Sequence, residues 1–342
     1  MNSFGKNFRV TTFGESHGIA VGAIIDGCPA GLPISEQDLQ IELNRRRPGQ
    51  SKISSPRNEK DEVKIFSGVF EGKSLGTPIA AMVFNRDSQS KDYQKFVEIF
   101  RPGHADEVWQ KKFGYRDFRG GGRSSGRETV GRVIAGAIAK KILTKKTKTK
   151  IFGYTLQIGN ISAKEFDFQE IEKNSLRCAD KIAAQRMEEK ILEIKKTGDS
   201  IGGKIAVQIK NTPKFLGSPV FGKLSAKLAE AIFSIGAIRS LEIGNGQKVI
   251  NLLGSQQNKF LEGISGGISN GEEIFLQCAI KPTPTISKKQ IVKNINNQMV
   301  EFCGTGRHDP VLAPRIIPVT EAMVAIVLVD FLLETSGNIS EI

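Results

Sequence analysis

Apolar residues alternate with polar or small ones over 19–26, 63–70, 77–85, 204–209 and 274–281, and a period of two over such short runs predicts β-strands. A period near 3.6 predicts helices over 35–46, 126–144, 180–196, 223–234, 286–299 and 320–334. The strands come in hairpin-like pairs set apart by long helices, without strict strand–helix alternation. That order predicts an α+β arrangement over a doubly wound parallel sheet. No Pro/Ser-rich linker or low-complexity block divides residues 1–342, so one domain is expected. A faint internal echo pairs SGVFEGKSLGTPIAAMV (Ser67 to Val83) with EGISGGISNGEEIFLQCAI (Glu262 to Ile280), each a glycine-punctuated hairpin running into an apolar strand.

With 342 residues and 39% apolar content, the chain can bury a substantial core. Its four cysteines form no C-x-x-C pair, which argues against a structural zinc site and a disulfide framework. The N-terminal MNSFGKNFRVTTFGESHG has the character of neither a signal nor a transit peptide, so a cytoplasmic protein is expected. The apolar run Ala322 to Val329, continued past Asp330 to Leu333, is too short for a bilayer and carries a carboxylate; it reads as a core helix, with no membrane partner.

Charge narrows the picture further. Lys and Arg number 49 against 36 acids, a net +13. Lys140, Lys141, Lys145, Lys146, Lys148 and Lys150 sit toward the end of one expected helix, where cations suit the dipole and are solvated. The arginines differ: Arg45, Arg46 and Arg47 precede a Pro-Gly, and Arg116, Arg119, Arg123 and Arg127 flank a triple glycine. Arginine beside glycine suits close, fixed contact with phosphate or carboxylate. A nucleic-acid-binding protein is the rival class for so basic a chain, but only 7% of residues are aromatic and no recognition module is present.

All three histidines lie in glycine- or proline-marked loops: GESHG (His17), RPGHAD (His104) and GRHDP (His308). Zinc spacing is absent, and general acid–base roles fit better. In RDFRGGGRSSGRE, Arg116 to Glu128, Ser125 and Glu128 have the spacing of a capping box, which predicts a helix start with free amides facing an anion. Arg127 and Glu128 stand where a Walker A loop needs Lys and Ser or Thr. RRRPGQSK is either an anion site or a solvated helix end, and KPTPTI (Lys281 to Ile286) is a proline-fixed turn. Asp309 serves as a base, orients one, or caps its turn. The set favours a ligand with several negative charges.

GESHG, RRRPGQSK, SGVFEGKSLGTPI, FRPGHAD, YRDFRGGGRSSGRET, GDSIGG, LGSPVF, EGISGGISNG, IKPTPTI and GRHDPVLAPRIIPVTEAM resemble, in order, the motifs of the chorismate synthase family, from residue 5 to about 323. The resemblance implies a β-α-β sandwich, with helices between two antiparallel sheets, assembled as a homotetramer with FMN near subunit contacts. It implies an anti-1,4-elimination of phosphate from 5-enolpyruvylshikimate 3-phosphate that needs reduced FMN (FMNH2) without net redox change. A flavin-dependent oxidoreductase, the rival enzyme class, would show net substrate oxidation. Carried over by resemblance, His17 would protonate the departing phosphate, His104 the reduced flavin, and Asp309 would assist deprotonation at the flavin. Arg123, Ser124, Ser125, Gly236, Ala237, Gly266, Lys281, Pro282, Thr283, Pro284, Thr285 and Arg307 match FMN-contacting positions. Arg46 and Lys52 match a basic site for nucleotide or substrate anions. Lys52 stands where many members have arginine, Gly236 where proline or asparagine is frequent, and Arg239-Ser240 replaces a common Lys-Gly. No reductase domain for NAD(P)H is evident, so an external source of reduced flavin is expected.

Overall fold

The computed structural model describes residues 1–55, 59–86, 96–260, 262–304 and 308–335. The first antiparallel sheet contains β1 (Ser3–Phe4), β2 (Arg9–Gly14), β3 (Ala20–Asp26), β4 (Val63–Ile65) and β7 (Ile79–Phe84), in the order β1-β2-β3-β7-β4. A small hairpin, β5 (Val69–Phe70) and β6 (Lys73–Ser74), leads into β7. The second sheet contains β8 (Lys150–Ile158), β9 (Ile161–Ser162), β10 (Gly203–Lys210), β11 (Ile238–Ile243) and β14 (Ile274–Ile280), in the order β11-β14-β10-β8-β9. Here too a hairpin, β12 (Ile264–Ser265) and β13 (Ile268–Ser269), leads into the last strand. Each of the two segments that echo each other in sequence thus forms a short separate hairpin followed by a strand of one five-stranded sheet.

The parallel goes further. Without the short edge strands β1 and β9, the sheets read β2-β3-β7-β4 and β8-β10-β14-β11, the same order of first, second, fourth and third strands. Helix α1 (Glu36–Arg46) precedes the third strand of the first sheet, as α5 (Leu224–Phe233) precedes that of the second. Long helices follow each fourth strand: α3 (Thr129–Thr147), after the short α2 (Asp106–Phe113), and α7 (Ala313–Thr335). The other α-helices and strands among the described residues are α4 (Lys181–Lys196), α6 (Gly254–Gln257) and the hairpin β15 (Lys289–Lys293) with β16 (Met299–Cys303).

Helices α3 and α7 pack on each other, α3 also on β2, β3 and β7, and α7 also on β8 and β10. The expected α+β sandwich, with helices between antiparallel sheets, is what the chain forms. Strict alternation of buried and half-buried residues along Ile274–Ile280 shows why these strands form: each presents one apolar face to the helical layer. The helices meet closely at Gly136, where a Cβ would stand 2.2 Å from the Ala322 Cβ, so only glycine fits the seam.

Helix α7 starts at Ala313, earlier than the sequence pattern predicts, and runs through Pro318. An internal proline leaves the carbonyl four residues back without its helical partner; the Arg177 guanidinium donates to that carbonyl, Pro314 O, at 3.1 Å. Its 23 residues are long and apolar enough to cross a membrane, but 83% of its most apolar window is buried inside the protein. Burial, and not shortness, makes it a core helix.

Two expectations need correction. Residues 286–299 form no helix: β15 and β16 pair instead, and Val292 and Phe302 pack on Phe96 in a small satellite core. The Asn294 side chain accepts N–H bonds from Asn296 and Gln298, 2.9 Å each, and this turn chemistry overrides the apolar spacing. Lys140 is not simply solvated: its ammonium donates to Glu42 at 2.8 Å and to the buried Glu321 at 2.6 Å.

Candidate functional site

A cavity of about 830 Å³ opens at one end of the helical layer, within the size range of cofactor and substrate sites. One wall is a face of α7 and its lead-in, Leu312, Ile316, Val319, Met323 and Ile326, a stripe about 21 Å long at 1.5 Å per residue. The corresponding loops of both halves converge on it. Arg46 at the end of α1 and Ser234 to Ala237 after α5 both line it, as do Arg123 to Glu128 before α3 and His308 with Asp309 before α7. Gly103 and His104, after β7, meet Lys281 and Thr283 to Thr285, after β14.

The glycine-rich loop reaches its position through its own arginines. Arg119 is bound to Asp117 through Nε, 2.9 Å, and NH2, 3.1 Å. Arg123 donates to Thr12 Oγ1 and to Gly14 O, which ties the loop to β2. Thr12 Oγ1 donates to Glu128 at 2.9 Å, Glu128 accepts from Arg132 at 3.0 Å, and Arg132 NH1 donates to Ser234 Oγ at 2.6 Å. This chain links the loop to Ser234, two residues before Gly236. The capping box does not form. Ser125 Oγ accepts from the Arg127 N–H, 3.3 Å, at a short 3₁₀ turn, Glu128 serves Thr12 and Arg132, and α3 starts only at Thr129.

His104 Nε2 is hydrogen-bonded to Thr285 Oγ1 at 2.6 Å. Burial, with Arg101 and Lys281 nearby, pushes the His104 pKa down to about 3, although Asp106 acts in the opposite sense. Arg101 is itself fixed by Asp106, through Nε at 2.8 Å and NH2 at 2.7 Å. Lys281 Nζ donates to Gly103 O at 2.7 Å and so closes the His104 loop onto the KPTPT turn. Asp309 accepts from the Ser55 N–H at 2.8 Å and from Arg315, while its own carbonyl accepts from Thr283 Oγ1 at 2.7 Å.

Arg46 is almost fully buried against the cavity and donates to Asp61, 3.0 Å, Thr129, 3.1 Å, and Gly126 O, 2.9 Å. Arg127 holds the other Asp61 oxygen and pairs with Glu59 at 2.8 Å. Burial, with Arg315 and Arg127 close by, pushes the Arg46 pKa down to about 9 despite Asp61. Burial alone would raise Asp61, but the two arginines hold it below the usual carboxylate range.

Of the site residues expected from sequence, His104, Asp309, Arg123, Ser124, Ser125, Gly236, Ala237, Lys281, Thr283, Pro284, Thr285 and Arg46 all line this cavity. Pro282 and His17 do not line it directly. The His17 ring lies behind cavity-lining Gly120, whose Cβ would stand 2.6 Å from Cδ2 and 2.8 Å from Nε2; with φ +65° as well, that position demands glycine. Gly266 sits at the β12–β13 tip, away from the cavity, and Lys52 is exposed with its carbonyl accepting from Lys195. Arg307 lies outside the described residues. Sequence reasoning missed Arg101, Arg132 and Arg315 as cavity residues. Arg101 and Arg315 stood inside the quoted FRPGHAD and GRHDPVLAPRIIPVTEAM motifs, but Arg132 has only its helical position to mark it.

A family model described as chorismate synthase matches residues 8–333. The chorismate synthase of Chloroflexus aggregans is 50% identical over 97% of this chain and 95% of that protein. The chorismate synthase of Methanosarcina mazei is 48% identical over 98% of this chain and 96% of that protein. A crystal structure of a chorismate synthase superposes with a TM-score of 0.78 and 32% identity, covering 98% of this chain and 94% of that one.

Proposed function

The chain belongs to the chorismate synthase family, and on that premise we propose that its cavity takes reduced FMN together with 5-enolpyruvylshikimate 3-phosphate. The family activity is that of a carbon–oxygen lyase at the final step of the shikimate pathway. The observation that carries the reading is His104, hydrogen-bonded to Thr285 in one cavity with Arg46, Arg101, Arg123 and Lys281. Two phosphates and two carboxylates, counted over cofactor and substrate, call for that density of cations. The apolar α7 stripe suits a flat ring system, so the residues present fit the cofactor.

Reduced FMN, when bound, would lend electron density as the carbon–oxygen bond to phosphate breaks and recover it afterwards, leaving no net oxidation. The remaining work falls to side chains. His17, packed behind Gly120, is assigned to protonate the departing phosphate, and Arg123 with Ser124 and Ser125 to bind an anionic group. Burial, with cations around it, favours the neutral form of His104. Anionic ligands offset those cations and raise its proton affinity, so it gains a proton as they bind and can then deliver it to the flavin. Asp309, oriented by Ser55 and Arg315, is the assigned acceptor. Arg46 binds substrate or nucleotide anions on this reading; exposed Lys52 contributes only at longer range.

The chain is read as one domain acting as a cytoplasmic homotetramer. The outer face of the first sheet supports assembly, because it leaves Ile24, Phe66 and Phe84 exposed at 43%, 55% and 42%. The deciding experiment is an anaerobic assay with chemically reduced FMN and substrate, following chorismate and phosphate together. Equimolar products with the flavin still reduced support the elimination; flavin oxidised in step with product makes the protein an oxidoreductase. A parallel incubation with NADPH and oxidised FMN tests the need for an external reductant, and sustained turnover there removes it.

A further inference from the structure

Asp330 lies four residues beyond Ile326 on α7, so it continues the face that walls the cavity. Its Oδ1 accepts three successive backbone N–H groups, from Lys6 at 2.8 Å, Asn7 at 2.6 Å and Phe8 at 2.9 Å. The Asn7 side-chain amide also donates to the Asp330 carbonyl at 3.3 Å. Consecutive amides converging on one carboxylate oxygen form a nest that holds the chain at that point.

The segment so held is the turn from β1 to β2. Strand β1 has only two residues and sits at the sheet edge, paired Ser3 to Thr11 and Phe4 to Val10. Thr12 N–H donates to Asn2 O at 3.1 Å, and the Ser3 and Thr11 hydroxyls are 2.8 Å apart. Met1, Asn2, Ser3 and Phe4 all line the cavity, as do Val319, Met323 and Ile326 of α7. A two-residue edge strand has little ladder energy of its own. The α7 carboxylate supplies a second anchor.

We infer that Asp330 is a positioning residue for the ligand cavity, which fixes the N-terminal strand as its end wall without touching the ligand. The inference rests on the reading that the cavity binds FMN.

The test measures FMN dissociation constants for wild type, Asp330→Ala, Asp330→Asn, a deletion of Asn2 to Phe4, and the deletion combined with Asp330→Ala. Asp330→Ala is expected to weaken FMN binding about tenfold, the scale of one lost charge-assisted bond. Asp330→Asn keeps an acceptor oxygen at the same reach and is expected to recover most of the affinity. The deletion should weaken binding as much as Asp330→Ala does, and adding Asp330→Ala to it should change nothing further. In steady state the KM for reduced FMN rises while kcat at saturating flavin holds. Amide exchange at Lys6, Asn7 and Phe8 should quicken in Asp330→Ala, with the melting transition still cooperative. Undiminished FMN affinity in Asp330→Ala, or a full further loss in the deleted background, overturns the inference. Asp330→Asn decides the matter if Asp330→Ala does not fold: a tenfold loss there, with the three amides still protected, also overturns it. Wild-type protein that binds no FMN fails the functional reading instead, and the inference with it.

Discussion

The two halves of the molecule share a strand order but differ at the same connection. In the first half, β2 passes to β3 through the short Glu15–Ile19 loop, which carries His17. In the second half, β8 reaches β10 only after residues 159–202. Part of that excursion folds back over the outer face of its sheet, where Tyr154 and Ala206 pack with Ile171 and Ala179, and Phe166 and Phe168 meet the Tyr154 ring edge to face. Among the described residues the first sheet has no such cover, and Ile24, Phe66 and Phe84 stay exposed. One scaffold thus serves two purposes: the first half supplies most of the cations and its short loop, and the second supplies the proline-fixed turn, Asp309 and the long apolar helix.

The sharpest break in that division comes where the halves touch through His104 and Thr285. His104→Ala should lower turnover about 10²- to 10⁴-fold, the usual worth of a positioned acid or base, with FMN binding retained; a stopped-flow assay with reduced flavin reads it. Wild-type turnover would remove His104 from the chemistry.

Next in size is the seam itself. Glu321 of α7 sits fully buried between Arg45 of α1, 3.0 Å through NH2, and Lys140 of α3, and it accepts the Gly153 N–H at 2.7 Å. Those cations hold its pKa well below the usual carboxylate range against the effect of burial. Glu321→Ala removes the buried acceptor that Arg45 and Lys140 share, leaving them Glu42 and, for Arg45, Glu172, and should cost about 3 kcal/mol of stability, the low end for a broken buried pair, read by chemical denaturation at neutral pH. A loss within error of zero would mean the halves are joined by packing alone.

Gly136→Ala tests the packing part. The added Cβ forces α3 from Ala322, and overpacking of about 1–3 kcal/mol is offset in part by about 1 kcal/mol of better helix propensity. The smallest effect is in pH. A histidine whose folded pKa is lowered to about 3 binds fewer protons than in the unfolded chain below about pH 6.5, so stability falls as pH drops through that window. Down to pH 5 this amounts to at most about 2 kcal/mol, and His104→Gln should flatten the slope there. An unchanged slope would place the titration elsewhere. Asp61 and Glu321, both lowered, add their losses only at more acid pH, below the unfolded carboxylate range.

Much of this was legible in the sequence. Period-two runs located β3, β7, β10 and β14, because each strand has one face on the helical layer. The loop motifs brought most of the cavity residues together in advance, since glycine and proline fix backbones wherever they occur. What stayed hidden depended on distant partners. Nothing local at Arg45 and Arg46 shows that neighbours on one helix serve Glu321 and Asp61 respectively. The hairpin at 289–303 was lost to a spacing that fits a helix equally well until the asparagine turn is considered.

Helix α7 follows every other described element and packs on α1, α3, α5, β8 and β10. During synthesis, the second sheet cannot therefore complete its inner face, nor α1, α3 and α5 their packing, until this segment has left the ribosome. The earlier part must wait with its apolar surface open, a state prone to aggregation, and the contacts that end the wait span most of the chain, which makes their closure slow. A chain truncated before Ala313 should accordingly accumulate as chaperone-bound or insoluble material rather than as a folded first half.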